Sequence, residues 1–324
     1  MKLISKYQTI IGLAVSLILY AIVLREVDVA SIGKTLRQAN IFWLLIALLC
    51  YWVEILIRIL RWKRIMSSLD STIRVSSLSN SFCIGAAANN IFPFRLGDIL
   101  RAHLVGIQRN ISRYSLMGSI LLEKLIDVVA VLLLTCWGAF WILNQLGAIS
   151  KIGFVFVATL LGIALLIIFY LTAKNKFHLN KLVGFFNERF VHFKKGFGIL
   201  LKPKYLSLVF FETVLIWTFN TLAIWALIKS LGVSLSVSEV LLLEGVIGLA
   251  AAIPSAPAGI GTLQYAFFLA FGIMNLDKSI GVAASLLVQG ILLGSITVVG
   301  VLIITLDRKS RLALKRIRHE RKTK

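Results

Sequence analysis

Six apolar runs, at 10–24, 41–62, 114–143, 152–171, 205–228 and 279–305, are long enough to cross a bilayer or nearly so. Lipid offers no partner to a bare peptide group, so such runs settle as α-helices, which bond their own backbone internally. With 59% apolar residues, a mean hydropathy of +0.91 and only four prolines in 324 residues, the composition excludes a soluble domain and a disordered one. The expectation is an all-α polytopic membrane protein, a single integral membrane domain over 1–324 with no room for a separate catalytic domain. The first run has a charged start but no small-residue cleavage site, so it is expected to remain as a helix.

Two interruptions of one design break this pattern. The first is Ala86-Ala87-Ala88-Asn89-Asn90-Ile91-Phe92-Pro93-Phe94-Arg95-Leu96-Gly97-Asp98, and the second is Ala250-Ala251-Ala252-Ile253-Pro254-Ser255-Ala256-Pro257-Ala258-Gly259-Ile260-Gly261. One fixed shift lays three alanines on three alanines, Pro93 on Pro257 and Gly97 on Gly261. Broken backbone survives at membrane depth only where it faces protein or a wet cavity, and paired breaks in corresponding halves point to a transporter's substrate site. Segments 78–106 and 237–274 each read as a re-entrant hairpin of two half-helices around the break. Six full crossings and two hairpins make eight membrane segments. Counting them gives two inverted repeats, about 1–150 and 151–306. If each hairpin were instead two thin crossings the count would be ten, with the same sidedness.

The net charge of +21 sits in juxtamembrane stretches, where bilayer orientation explains it better than nucleic acid does. The linker 173–204 carries eight Lys and Arg against one acid, and the tail 307–324 nine against two. Both are expected in the cytoplasm beside anionic lipid, with both chain termini inside and the protein in the inner or plasma membrane. Arg58, Arg61, Lys63, Arg64 and Arg74 then fall at the cytoplasmic end of the second crossing, and the uncharged 144–150 and 231–237 fall outside. Arg25, Lys34 and Arg37 land outside against the rule, and a short amphipathic helix would house them. Cys50, Cys83 and Cys136 lie in apolar runs without ligand spacing and read as small core residues.

Around the first break stand Asn89, Asn90, Arg95, Asp98 and Arg101. Charges at such depth line a cavity or pair with each other. Arg95 and Arg101 suit a phosphate, aided by the N–H groups of a half-helix starting near Gly97, and a structural Arg95–Asp98 pair is the plain alternative. The second break offers Ser255, Thr262 and Gln264, with Gly259 and Gly261 permitting close backbone approach; small-residue helix packing explains it equally well. Glu54 and Arg58 are one helical turn apart and form an available ion pair. Glu123 and Asp127 share a face beside Lys124 and are expected at the cytoplasmic rim of a helix longer than the bilayer core. Glu244, in the helix entering the second break, is a proton-relay candidate on depth alone. No metal-ligand set or cofactor motif is present.

The stretch Asn90-Ile91-Phe92-Pro93-Phe94-Arg95-Leu96-Gly97-Asp98-Ile99-Leu100-Arg101, followed by Leu122-Glu123-Lys124-Leu125-Ile126-Asp127, resembles the lysylphosphatidylglycerol synthase transmembrane region, also called the flippase-like family. Pro254-Ser255-Ala256-Pro257-Ala258-Gly259-Ile260-Gly261 is similar to that family's second signature, and Arg58-Ile59-Leu60-Arg61-Trp62 to its first. The resemblance implies a stand-alone member, without the aminoacyl-transferase domain, that moves lipids or lipid-linked sugars between leaflets. It departs from the family pattern at Lys124 (usually arginine), Ala258 (usually glycine) and Gln264 (usually glutamate), while Gln289 stands where arginine is common. If Gln264 and Gln289 face each other, a neutral amide pair replaces an ion pair. The expected function is a lipid flippase without bond chemistry or cofactors. Its partners are membrane lipids, with a homo-oligomer and a cytoplasmic lipid-modifying enzyme as further possibilities. The alternatives are an integral membrane transferase on polyprenyl or phosphatidyl lipids, or a channel or scaffold.

Overall fold

The computed structural model describes residues 2–92, 95–145, 162, 192–193, 195–251, 255–307 and 310–312. Among them every regular element is helical. The crossing expected at 152–171, most of the linker 173–204, the tail beyond Leu312, and Pro93 and Pro254 at the breaks lie outside the described residues.

Helix α1 (Lys2–Glu26) hands over to the nine-residue α2 (Val29–Arg37) at Asp28, whose carboxylate accepts the Ala30 and Ser31 N–H groups at 2.9 and 3.2 Å. In α2 Ile32 is buried while Lys34 and Arg37 are exposed, so a short amphipathic helix houses these two, whereas Arg25 lies in the last turn of α1. Helix α3 (Ile41–Met66) starts at Asn40, whose side chain accepts the Phe42 N–H at 2.9 Å. In the turn that follows, the Thr72 hydroxyl and amide both donate to Asp70 and hold its carboxyl below the usual carboxylate range.

Helices α4 (Val75–Ile91) and α5 (Leu96–Arg109) flank the first break. They meet backbone to backbone, because a Cβ on Gly97 would run into the Gly85 carbonyl and lie 2.7 Å from the Asn89 nitrogen. Helix α6 (Arg113–Gln145) has 33 residues, well beyond the ~20 that a bilayer core needs. Helix α7 (Pro203–Ser230) begins at a proline, whose missing N–H costs nothing in a first turn.

Helix α8 (Val237–Ala250) opens with a full capping box between Ser236 and Glu239. After it come a 3-10 turn (Pro257–Gly259) and α9 (Thr262–Ile273). Gly261 joins these two at φ +86°, a region closed to side chains, and its α-carbon lies so near Ser16 of α1 that a Cβ would meet that residue's carbonyl. Ser16 also accepts the Ala256 N–H at 2.8 Å, so α1 seals the back of the second break. Helix α10 (Lys278–Leu287) continues through a π turn (Val288–Leu293) into α11 (Gly294–Leu306).

Among the described residues three helical stretches are long and apolar enough to cross a membrane: Ile41–Met66, Tyr205–Ser230 and Lys278–Leu306. The first two, α3 and α7, pack along each other and supply Ala47, Tyr51, Ile59, Trp62, Ala223 and Leu227 to the main apolar cluster. Flanking them, α4 packs on α11 and α8 packs on α6. Both of these contacts are small-residue seams. Gly300 of α11 faces the Cys83 carbonyl and Ala87, and Gly138 of α6 faces α8 at Ser238 and Leu242, close enough for backbone to serve as the packing surface.

Candidate functional site: a charged cavity between two helix breaks

The two breaks, distant in sequence, border one cavity of about 670 Å³. Its wall takes Asn89, Asn90, Arg95, Asp98 and Arg101 from the first break and Ser255, Gly259 and Thr262 from the second. Tyr51 and Arg58 of α3, and Glu123 and Lys124 of α6, complete the polar side, while Ile55, Phe82, Ile247, Leu263 and Val288 make it apolar elsewhere. Outside it, Ile91, Leu96, Ile99, Leu249 and Ile260 are exposed, so the polar interior has an apolar surround.

Four cations and two carboxylates line the wall, but they are not equally free. Arg58 Nε donates to Glu54 Oε1 at 2.6 Å and Nη1 to Asp127 Oδ2 at 3.0 Å. Asp127 is shared with fully buried Arg61, at 2.8 Å, and Glu54 also accepts from Asn220 at 3.0 Å. Arg101 is 3% exposed and pairs with Glu123 at 3.0 Å. Its guanidinium lies over the rings of Trp62 (4.3 Å) and Phe82 (5.1 Å). These buried pairs neutralise each other's charge, and removing one partner would leave a bare charge in an apolar surround.

Arg95 stands apart. It is exposed, makes no ion pair among the described residues, and donates from Nη2 to the Ala251 carbonyl at 3.3 Å. Its backbone adopts φ 50°, ψ 39°, a left-handed conformation that costs roughly 1–2 kcal/mol in a residue with a side chain. Ala251 is the C-cap of α8, so the cation of the first break caps the exposed carbonyl end of the helix entering the second. Lys124, 36% exposed, is the second available cation, 4.0 Å from Asp98. Asp98 sits in the first turn of α5, where the helix dipole favours it, and accepts from Asn89 at 3.3 Å.

Several expectations are corrected here. Arg101 is committed to Glu123 rather than free for a phosphate. Asn90 spends its amide on Leu293 carbonyl (3.1 Å) and Thr297 hydroxyl (2.9 Å), tying α4 to α11. The plain Arg95–Asp98 pair does not form. Glu123 is 1% exposed and Asp127 is locked between two arginines, so neither occupies a solvated rim. Gly261 and Gln264 are buried behind the cavity instead of lining it. Gln264 Oε1 accepts the Gly261 N–H at 2.7 Å, its Nε2 donates to Gln289 Oε1 at 2.7 Å, and Gln289 Nε2 donates to the Ala258 carbonyl at 3.1 Å. The two amides therefore brace the second break.

Sequence reasoning missed the aromatic sandwich around Arg101, the contribution of Lys124 to the wall, and Asn220 as a partner of Glu54. Only Asn220 left a signal, as an amide inside an otherwise apolar crossing. Glu244 is 4% exposed; Oε2 accepts the Thr221 hydroxyl at 3.0 Å, and Oε1 has no hydrogen-bond partner.

The chain is 24% identical over 305 residues to UPF0104 membrane protein PH1989 of Pyrococcus horikoshii, covering 85% of this chain and 90% of that one. It is 26% identical over 218 residues to UPF0104 membrane protein MJ1078 of Methanocaldococcus jannaschii, covering 65% and 90%. A shorter likeness, 26% over 129 residues, links 40% of this chain to 21% of glycosyltransferase AglD of Haloferax volcanii. The lysylphosphatidylglycerol synthase TM region matches residues 9–300, which take in both breaks, the ion-pair network of α3 and α6, and the whole cavity. This chain therefore belongs to the lysylphosphatidylglycerol synthase TM region family.

Proposed function

We propose that this protein is a lipid translocase that passes an anionic or glycan-linked headgroup through the cavity while the hydrocarbon chains stay in lipid. The observation that carries the reading is the convergence of both breaks on one polar cavity whose exposed cation, Arg95, spans from one break to the other. Moving a charged headgroup through hydrocarbon is costly, and a cavity with charged walls and an apolar surround lowers that cost without any bond chemistry. With Arg58 and Arg101 neutralised by their carboxylates, Arg95 and Lys124 are left to attract the headgroup. The likeness to part of a glycosyltransferase favours a glycan-bearing lipid among the substrates.

We further infer six crossings and two re-entrant hairpins arranged as inverted repeats, with both termini in the cytoplasm. The shift that superposes the breaks also carries α3 onto α7, α4 and α5 onto α8 and α9, and α6 onto α10–α11. Under that exchange the α4–α11 contact becomes the α8–α6 contact and the α3–α7 contact maps onto itself, the pattern of a pseudo-two-fold axis. Three crossings per half then invert the second half relative to the first.

Leaflet accessibility of labelled lipids in proteoliposomes tests the function. Aminoacyl-phospholipid, polyprenyl-phosphate and glycolipid are compared, with Arg95→Ala as control. Redistribution of at least one lipid class that needs both the protein and Arg95 is expected. Equal redistribution with and without protein refutes translocation.

A further inference from the structure

Of the ionisable groups shielded from solvent near the cavity, Glu54, Arg58, Glu123 and Asp127 are all spent in ion pairs. Glu244 is not. It forms no ion pair among the described residues, one of its oxygens is held by Thr221, and the other is buried and bare. The groups around it come from α3 and from the helices packed on α8. From α3 there are Glu54 and Arg58; from α6, Asp127 beyond Arg58; from α7, Asn220 and Thr221, with the buried Trp217 indole N–H also unpartnered one turn earlier. Helix α9 contains no acid or base apart from the Tyr265 phenol. The one cation in this set is already held by two carboxylates. An isolated carboxylate in such surroundings must be neutralised, and the proton is the partner small enough to arrive there.

We propose that Glu244 is a proton-binding site that couples lipid movement to the proton gradient. The only bond made and broken is O–H: Glu244 takes a proton from water on one side of the membrane and yields it to water on the other. Two adjacent residues of α7 relate this site to the cavity: Thr221 holds Glu244, while Asn220 donates to Glu54, which holds Arg58 at 2.6 Å, and Arg58 lines the wall. When the proton leaves, a further negative charge competes with Asp127 for Arg58 and changes the potential that the cavity offers a headgroup. Glu244 also lies about two turns before Ala251, the carbonyl that Arg95 holds, so the proton site and the headgroup site share one helix.

The coupling rests on the translocase reading, whereas protonation of Glu244 is read independently. The first measurement is an infrared pH titration of the purified chain in lipid nanodiscs. A protonated-carboxyl C=O band that titrates, disappears in Glu244→Gln and persists in Glu244→Asp is expected. If no carboxyl band is lost in Glu244→Gln at any pH, the proposal is overturned whether or not lipid moves. The second uses proteoliposomes carrying fluorescent phosphatidylglycerol under an imposed pH gradient. With one proton per lipid, the leaflet distribution shifts by about tenfold per pH unit in the wild type and in Glu244→Asp, and not at all in Glu244→Gln. Wild-type lipid movement indifferent to the gradient overturns the coupling. A wild type that moves no lipid overturns the translocase reading and the coupling with it, while the infrared band still decides the protonation of Glu244.

Discussion

Gln264 Nε2 and Gln289 Oε1 are 2.7 Å apart, and Gln289 passes its own N–H to the Ala258 carbonyl at 3.1 Å, so a chain of neutral amides holds the second break in shape. Charge is unnecessary for this brace, because each amide is matched donor to acceptor. Gln264→Ala strips a partner from both the Gly261 N–H and Gln289, each buried or half-buried, and should cost about 1–3 kcal/mol. Gln289→Ala should cost a similar amount, and the double variant clearly less than the two added. Thermal unfolding in detergent with bound lipid held constant measures this; strict additivity would show that the two amides act separately.

Arg101 and Glu123 form a buried pair whose separation, 3.0 Å, leaves no room for a headgroup between them. Arg101→Ala leaves Glu123 uncompensated and should cost about 3–5 kcal/mol, whereas Arg101→Met with Glu123→Leu should recover most of that loss. Arg101→Lys keeps the charge but loses the planar stack on Trp62 and Phe82, so it should fall between them. Chemical denaturation resolves the three variants. If the double variant is as unstable as Arg101→Ala, the arginine does more than answer Glu123.

Ala258 occupies φ 53°, in the place where the family's second signature usually has glycine. A left-handed alanine costs roughly 1–2 kcal/mol, against a gain of about 0.4–1 kcal/mol from a stiffer unfolded chain. Ala258→Gly should therefore leave the melting temperature unchanged or raise it. Ala88→Gly, inside helical α4, should lower stability by about 1 kcal/mol. Equal destabilisation by both would argue against backbone strain at Ala258.

The breaks and three of the expected spans were legible because lipid restricts the backbone so tightly that run length marks a helix and proline and glycine mark its interruption. The meeting of Gln264 with Gln289 was legible as well, since both depart from one family pattern. Depth was not. The rim position expected for Glu123 and Asp127 assumed that carboxylates seek water, yet Arg101, Arg58 and Arg61 make burial tolerable, and those partners lie on other helices with no sequence spacing to announce them. Likewise Gly261 and Gln264 were placed on the cavity wall because the side a broken segment presents depends on its turn geometry: with Gly261 at φ 86° and α1 pressed against it, Gln264 is sent behind the break.

Gly97 and Gly290 make opposite predictions from the same substitution. A methyl group on Gly97 collides with the Gly85 carbonyl and crowds the Asn89 backbone, and backbone on both sides cannot yield without parting α4 from α5. Gly97→Ala should therefore disrupt the first break, by at least the ~1–3 kcal/mol of ordinary overpacking, and displace Asp98 and Arg101 with it. Gly290 lies in the π turn, where a methyl meets nothing within 4 Å, so Gly290→Ala should be neutral or stabilising by up to ~1 kcal/mol. Thermal unfolding, together with cysteine accessibility at Asn89 in each background, separates the two. A Gly97→Ala protein as stable as the wild type, with Asn89 unchanged in accessibility, would mean that α4 and α5 do not meet backbone to backbone, and the cavity they frame would lose its first wall.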